Sequence, residues 1–77
     1  MSIDRNVKLV IEQHPDGFVG YALGVQGAVI GEGGTFDEAL ADLKSALKFH
    51  IETFGDTALD LESPVIEAFI VDAAVSV

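Results

Sequence analysis

The sequence contains no cysteine, so neither a disulfide framework nor a thiolate zinc site can supply stability, and packing has to hold the fold. Prolines number two, and 49% of the residues are hydrophobic, a composition that belongs to a folded domain rather than a disordered tail. Basic residues are also scarce, four against thirteen acidic ones, for a net charge of −9. Such a charge repels a phosphate backbone and an anionic membrane surface, which argues against direct nucleic-acid or membrane binding; a basic protein partner would be attracted instead. Aromatic residues are few and not interleaved with basic ones, so a base-stacking platform is not supported. No segment approaches about eighteen uninterrupted apolar residues, and the opening MSIDRNVKLVIE has no apolar core behind a basic stretch. The expectation is a cytoplasmic protein without a membrane span.

What is present is one unit, residues 1–77, with no internal repeat or dividing linker. A chain of this size buries only about 60% of its unfolded surface, which favours help from partner chains. Val7, Leu9 and Ile11 alternate with Lys8 and Glu12 in the period-2 pattern of a strand with one buried face. HPDG, residues 14–17, supplies a turn: Pro15 presets φ, Asp16 can bond its local backbone, and Gly17 tolerates φ > 0. The strand that follows, Gly17 to Leu23, is apolar on both faces and is expected to be central. GVQG, Gly24 to Gly27, turns the chain into a short strand around Ala28 to Ile30.

The stretch GEGGTFDEALADLKSALKFH then leads into a helix. Thr35 and Glu38 form the S/T-x-x-E capping box, and Gly55 suits a left-handed C-cap, so the spacing predicts a helix near Thr35 to Phe54. Phe36, Leu40, Leu43, Leu47 and Phe54, flanked by Ala39, Ala46 and Ile51, make its apolar stripe, with Asp37, Asp42, Lys44, Ser45, Lys48 and Glu52 on the remaining surface. After a polar connection ending at Pro64, residues Val65 to Val77 read as a last strand, rich in β-branched residues and apolar on both faces. One helix covers one face of a sheet, so the other face calls for a second chain, and self-association, most simply as a dimer, is expected.

None of the candidate chemistries gathers the residues it needs. GEGGT sits where a phosphate cradle would, but lacks both G-x-G-x-x-G and G-x-x-x-x-G-K-[ST] spacing, and Asp37 and Glu38 in the first helical turn would repel an anion. His14 and His50 are too few for a histidine-based zinc site; His14 belongs to a solvated turn and His50 to the end of the helix, where the dipole favours a cation. Ser45 stands beside Lys44 and Lys48 outside any nucleophile motif. Glu67 and Asp72, five apart in a strand, point to opposite faces and do not converge on a metal pocket. No catalytic, cofactor-binding or metal-binding residue is therefore assigned, and no enzymatic activity is expected.

The order strand, Asp16-Gly17, aromatic Phe18, strand, Gly27, short strand, then Gly33, Thr35, Glu38, Ala39 and Leu40 leading into a helix and a closing apolar strand resembles the HicB-like antitoxin family over roughly Val7 to Val75. The sequence departs from that pattern at Gly24 to Gln26, where a proline-containing turn is frequent, at Ala28 in place of a cysteine, and at Gly34 in place of an acid. The resemblance implies an α+β, two-layer β-β-β-α-β domain with a partial ribonuclease H-like sheet of order 3-2-1-4 and one helix on one face. It implies a non-catalytic antitoxin that neutralises a small basic RNA-cleaving toxin, HicA-like, without a cofactor. Because Val77 follows directly on the last strand, the DNA-binding segment that many members carry is expected to be lacking. The alternative is an orphan small-ligand-binding or regulatory module on the same dimeric sheet.

Overall fold

The computed structural model describes residues 6–59, 61 and 63–77. The expectations made for the first five residues, and for Asp60 and Glu62 within the polar connection, lie outside them. Two strands, β1 (Leu9–His14) and β2 (Gly17–Ala22), form an antiparallel hairpin whose register runs from Leu9 opposite Ala22 to His14 opposite Gly17. Only Pro15 and Asp16 connect them. Neither has a positive φ while Gly17 does, at 148°, so proline opens the turn and glycine closes it, as the turn chemistry of the sequence anticipated. The third strand, β3 (Ile30–Gly33), pairs antiparallel with β2 from Phe18 opposite Gly33 to Tyr21 opposite Ile30, giving a sheet of order β1-β2-β3. A single helix, α1 (Phe36–Phe54), covers one face, and a 3-10 turn, Gly55–Ala58, follows it. The architecture is α+β.

The third strand corrects the sequence reading. Gly31 and Gly33 belong to β3 and not to a loop, and both face the helix. A Cβ on Gly31 would come within 2.4 Å of the Leu43 backbone nitrogen, and one on Gly33 within 2.7 Å of the Ala39 nitrogen. Gly20, directly opposite Gly31 on β2, is likewise closed in by the side chains of Ile11 and Leu43. The three glycines form a flat platform on which the first turns of α1 rest, and Val29 restores bulk where Leu47 packs further along.

This close approach also reorders the helix stripe. The fully buried positions are Ala39 and Leu43, with Leu47 close behind, and Leu9, Ile11, Ala22, Val25, Ala46 and Ile51 pack around that core. Phe36 and Phe54, expected at the ends of the stripe, stand 49% and 57% exposed, and the Phe54 ring lies against His50 instead of the sheet. The capping reading holds in part: Thr35 is the extended N-cap and its hydroxyl accepts the Glu38 backbone N–H at 3.1 Å, while Gly55 with φ 65° ends the helix. Glu32 in β3 donates its backbone N–H to the Asp42 carboxylate of α1 at 2.9 Å, so the helix ties down the outer edge of that strand.

The expected last strand is not paired within the single chain. Residues 65–77 carry no regular secondary structure and stand in solvent, with Ile66, Phe69, Ile70, Val71 and Val75 each more than three-quarters exposed. Strand-forming side chains provide no ladder by themselves; a neighbouring edge has to complete it.

Candidate partner-binding surface

The turn of the β1–β2 hairpin, the end of β3 and the start of α1 meet at one end of the domain, because Phe18 pairs with Gly33 and Gly33 lies against Glu38. That end carries Glu12, Asp16, Glu32, Asp37, Glu38 and Asp42, all exposed. The lysines among the described residues, Lys8, Lys44 and Lys48, lie elsewhere, along a groove between β1 and α1. The described lysines share their groove with Glu52, while the carboxylates of this end can act over roughly a Debye length, about 8 Å at physiological salt, on an approaching cationic partner.

The sheet face opposite the helix adjoins this acidic end. Register places Val10, Tyr21 and Ile30 in one row across the three strands and Glu12, Val19 and Glu32 in the next. Ile30 is 60% exposed and the other apolar members are half-buried, so the face is an apolar stripe bordered by two glutamates. Tyr21 has its pKa raised above the usual tyrosine range, first by burial, then by the charge of Glu12 and a hydrogen bond with it. Glu12 also holds His14 Nε2 at 2.9 Å from its Oε1. Such an exposed pair contributes at most about 1 kcal/mol.

The candidate residues of the sequence are dispersed. His14 ends β1 beside Glu12, while His50 lies on α1 at the opposite end of the domain. His50 Nε2 is 2.7 Å from the Gln26 carbonyl; a carbonyl only accepts, so this nitrogen carries the proton and the ring fastens the GVQG turn to the helix. Phe54 stands against the same ring, with centroids 4.9 Å apart. The turn is fastened a second time by the Gln26 N–H on the Ala58 carbonyl, at 2.7 Å. Ser45 is exposed on α1, and Glu67 and Asp72 lie in the exposed arm outside the sheet. In the former cradle candidate the Glu32 N–H is taken by Asp42, and the Thr35 hydroxyl accepts the Glu38 N–H. Among the described residues no group of three or more His, Asp or Glu side chains is arranged to hold a metal, and no helix is long and apolar enough to cross a membrane.

Sequence reasoning found the acidic excess but not its placement, and it missed the His50–Gln26 fastening, which joins residues 24 apart. Compared with protein-family models, curated proteins and solved structures, the chain matches none of them.

Proposed function

We propose that this chain is a non-catalytic, HicB-like binding domain that works as a homodimer and neutralises a small basic RNA-cleaving toxin by covering the toxin's RNA-binding surface with its own acidic end. The carrying observation is the segregation of charge: Glu12, Asp16, Glu32, Asp37, Glu38 and Asp42 share one end while the described lysines lie along the β1–α1 groove. A surface that binds RNA is basic, and an acidic protein of matching shape competes for it by the same electrostatics. In this reading the arm completes the sheet as a strand beside β1, for the order 3-2-1-4 of a partial ribonuclease H-like sheet.

The test is calorimetric titration against a small basic protein encoded beside this one. Binding at micromolar concentration or tighter in low salt, weakening as salt is raised, supports the reading; no binding in low salt removes it.

A second reading, a small-ligand-binding or regulatory module, is favoured by the groove lined by Val7, Leu9, Leu47 and Ile51. A compound seated there would raise the thermal midpoint, since binding the native state alone stabilises it.

A further inference from the structure

The arm, residues 65–77, is the largest unexplained feature of the molecule. Its apolar side chains alternate to both sides, as in a strand covered twice, yet Ile66 is 86%, Phe69 82% and Ile70 89% exposed. A continuous apolar surface of this extent on a single chain marks an interaction site.

Among the described residues the sheet offers it one open edge. On β3 the helix has already reached across, with Asp42 taking the Glu32 N–H, so that edge is guarded. Among the described residues nothing pairs with the outer edge of β1, which runs six residues without proline. Beside it lies the groove between β1 and α1, lined by Val7, Leu9, Leu47 and Ile51 and bordered by Lys8, Lys44 and Lys48. The arm is complementary in chemistry: apolar, with Glu67 and Asp72 as its only charges.

The arm leaves its own domain at this groove. Val65 N lies 3.7 Å from where a Cβ on Gly24 would stand, and Pro64, Val65 and Ile66 line one end of the groove. Pro64 fixes its own φ and biases Ser63 toward an extended conformation, and the residues beyond Ile66 stand exposed. The molecule extends 49 Å in its longest direction against 17 Å in its shortest. In this structure the arm is not paired with its own β1 edge, and the same edge on an identical chain is open to it.

We propose that two copies of this chain exchange their arms, each arm adding as a fourth strand to the free edge of the other copy's β1 and covering the groove between β1 and α1. Exchange of an identical element is a low-cost route to a closed dimer, since the contacts need no new surface. The six large apolar side chains Ile66, Phe69, Ile70, Val71, Val75 and Val77 supply area on the order of the roughly 800 Å² per partner that a standard interface buries. The inference specifies the self-association in the proposed function and is independent of what the acidic end binds.

The test uses the full chain. Light scattering after size exclusion should give twice the monomer mass of 8.1 kDa, and Ile70→Pro, which removes a ladder N–H at a residue that is itself 89% exposed, should give a monomer with unchanged helical circular dichroism. Isotope-filtered nuclear Overhauser spectra of mixed labelled and unlabelled chains should show contacts between arm and β1 amides across the two chains. A monomeric wild type, a dimer that survives Ile70→Pro, or arm-to-β1 contacts confined to one chain would overturn exchange. Toxin titration of the same samples reports separately on the acidic end.

Discussion

Leu43 of α1 rests directly on Gly31 of β3, at a distance that a single added carbon would close: a Cβ on Gly31 would stand 2.8 Å from the Leu43 Cβ and nearer still to its backbone. Gly31 and Gly33 are therefore spacers that set the height of the helix above the sheet.

Gly31→Ala should consequently destabilise the fold by about 1–3 kcal/mol, the usual cost of overpacking. In a domain of this size that lowers the thermal midpoint by about 4–8 °C per kcal/mol. Gly34→Ala is the control: nothing stands closer than 4.0 Å to its Cβ position and its φ is not positive, so it should be neutral or gain about 0.4–1 kcal/mol from a less disordered unfolded chain. Equal effects at the two positions, measured by urea unfolding, would contradict the spacer role.

Removing the cap should cost less. Thr35→Ala leaves the Glu38 N–H without its hydroxyl acceptor and should reduce stability by about 1 kcal/mol, whereas Thr35→Ser should retain most of it. Urea midpoints of the two variants check this.

Asp42→Ala should cost about 1 kcal/mol, the net value of one exposed hydrogen bond, and should also free the β3 edge. The second effect is read as faster concentration-dependent aggregation of the variant, and its absence would show that the edge needs no guard.

These positions also show what the sequence made legible. Caps and turns are local, so Thr35, Gly55 and the Pro15–Gly17 turn could be read directly and the helix ends fall within a residue of expectation. Gly31 and Gly33 were harder, because glycine favours turns by composition; their i, i+2 spacing carried the strand signal, and only the helix backbone above them explains it. Contacts such as Glu32–Asp42 and His50–Gln26 join separate elements and leave no trace in local pattern. The arm reads as a strand by propensity but forms none in the single chain, because propensity supplies no paired edge. For the binding surface, the total charge was readable and its segregation to one end was not, since that depends on the hairpin turn and the helix start meeting.

Tyr21 offers a check on the outer face. Its folded-state pKa is raised, so the native protein holds the phenol proton more tightly than the unfolded chain. The neutral-tyrosine stability is then fully present below the unfolded value, about 10, and is lost as pH rises through the folded value. Ultraviolet titration should find the phenolate appearing later than in a model peptide, and Glu12→Gln, which removes the neighbouring charge, should bring it partway back. An unchanged titration in that variant would remove Glu12 from the account.

The proposal that the acidic end neutralises a basic RNA-cleaving partner is tested most directly by an RNA-cleavage assay with a small basic toxin of the HicA-like kind. Added at one chain per toxin, this protein should abolish cleavage, and the double variant Glu32→Lys, Asp37→Lys should lose at least tenfold in potency, about 1.4 kcal/mol of binding. Cleavage that continues undiminished at a large excess of the wild-type protein in low salt would contradict the account.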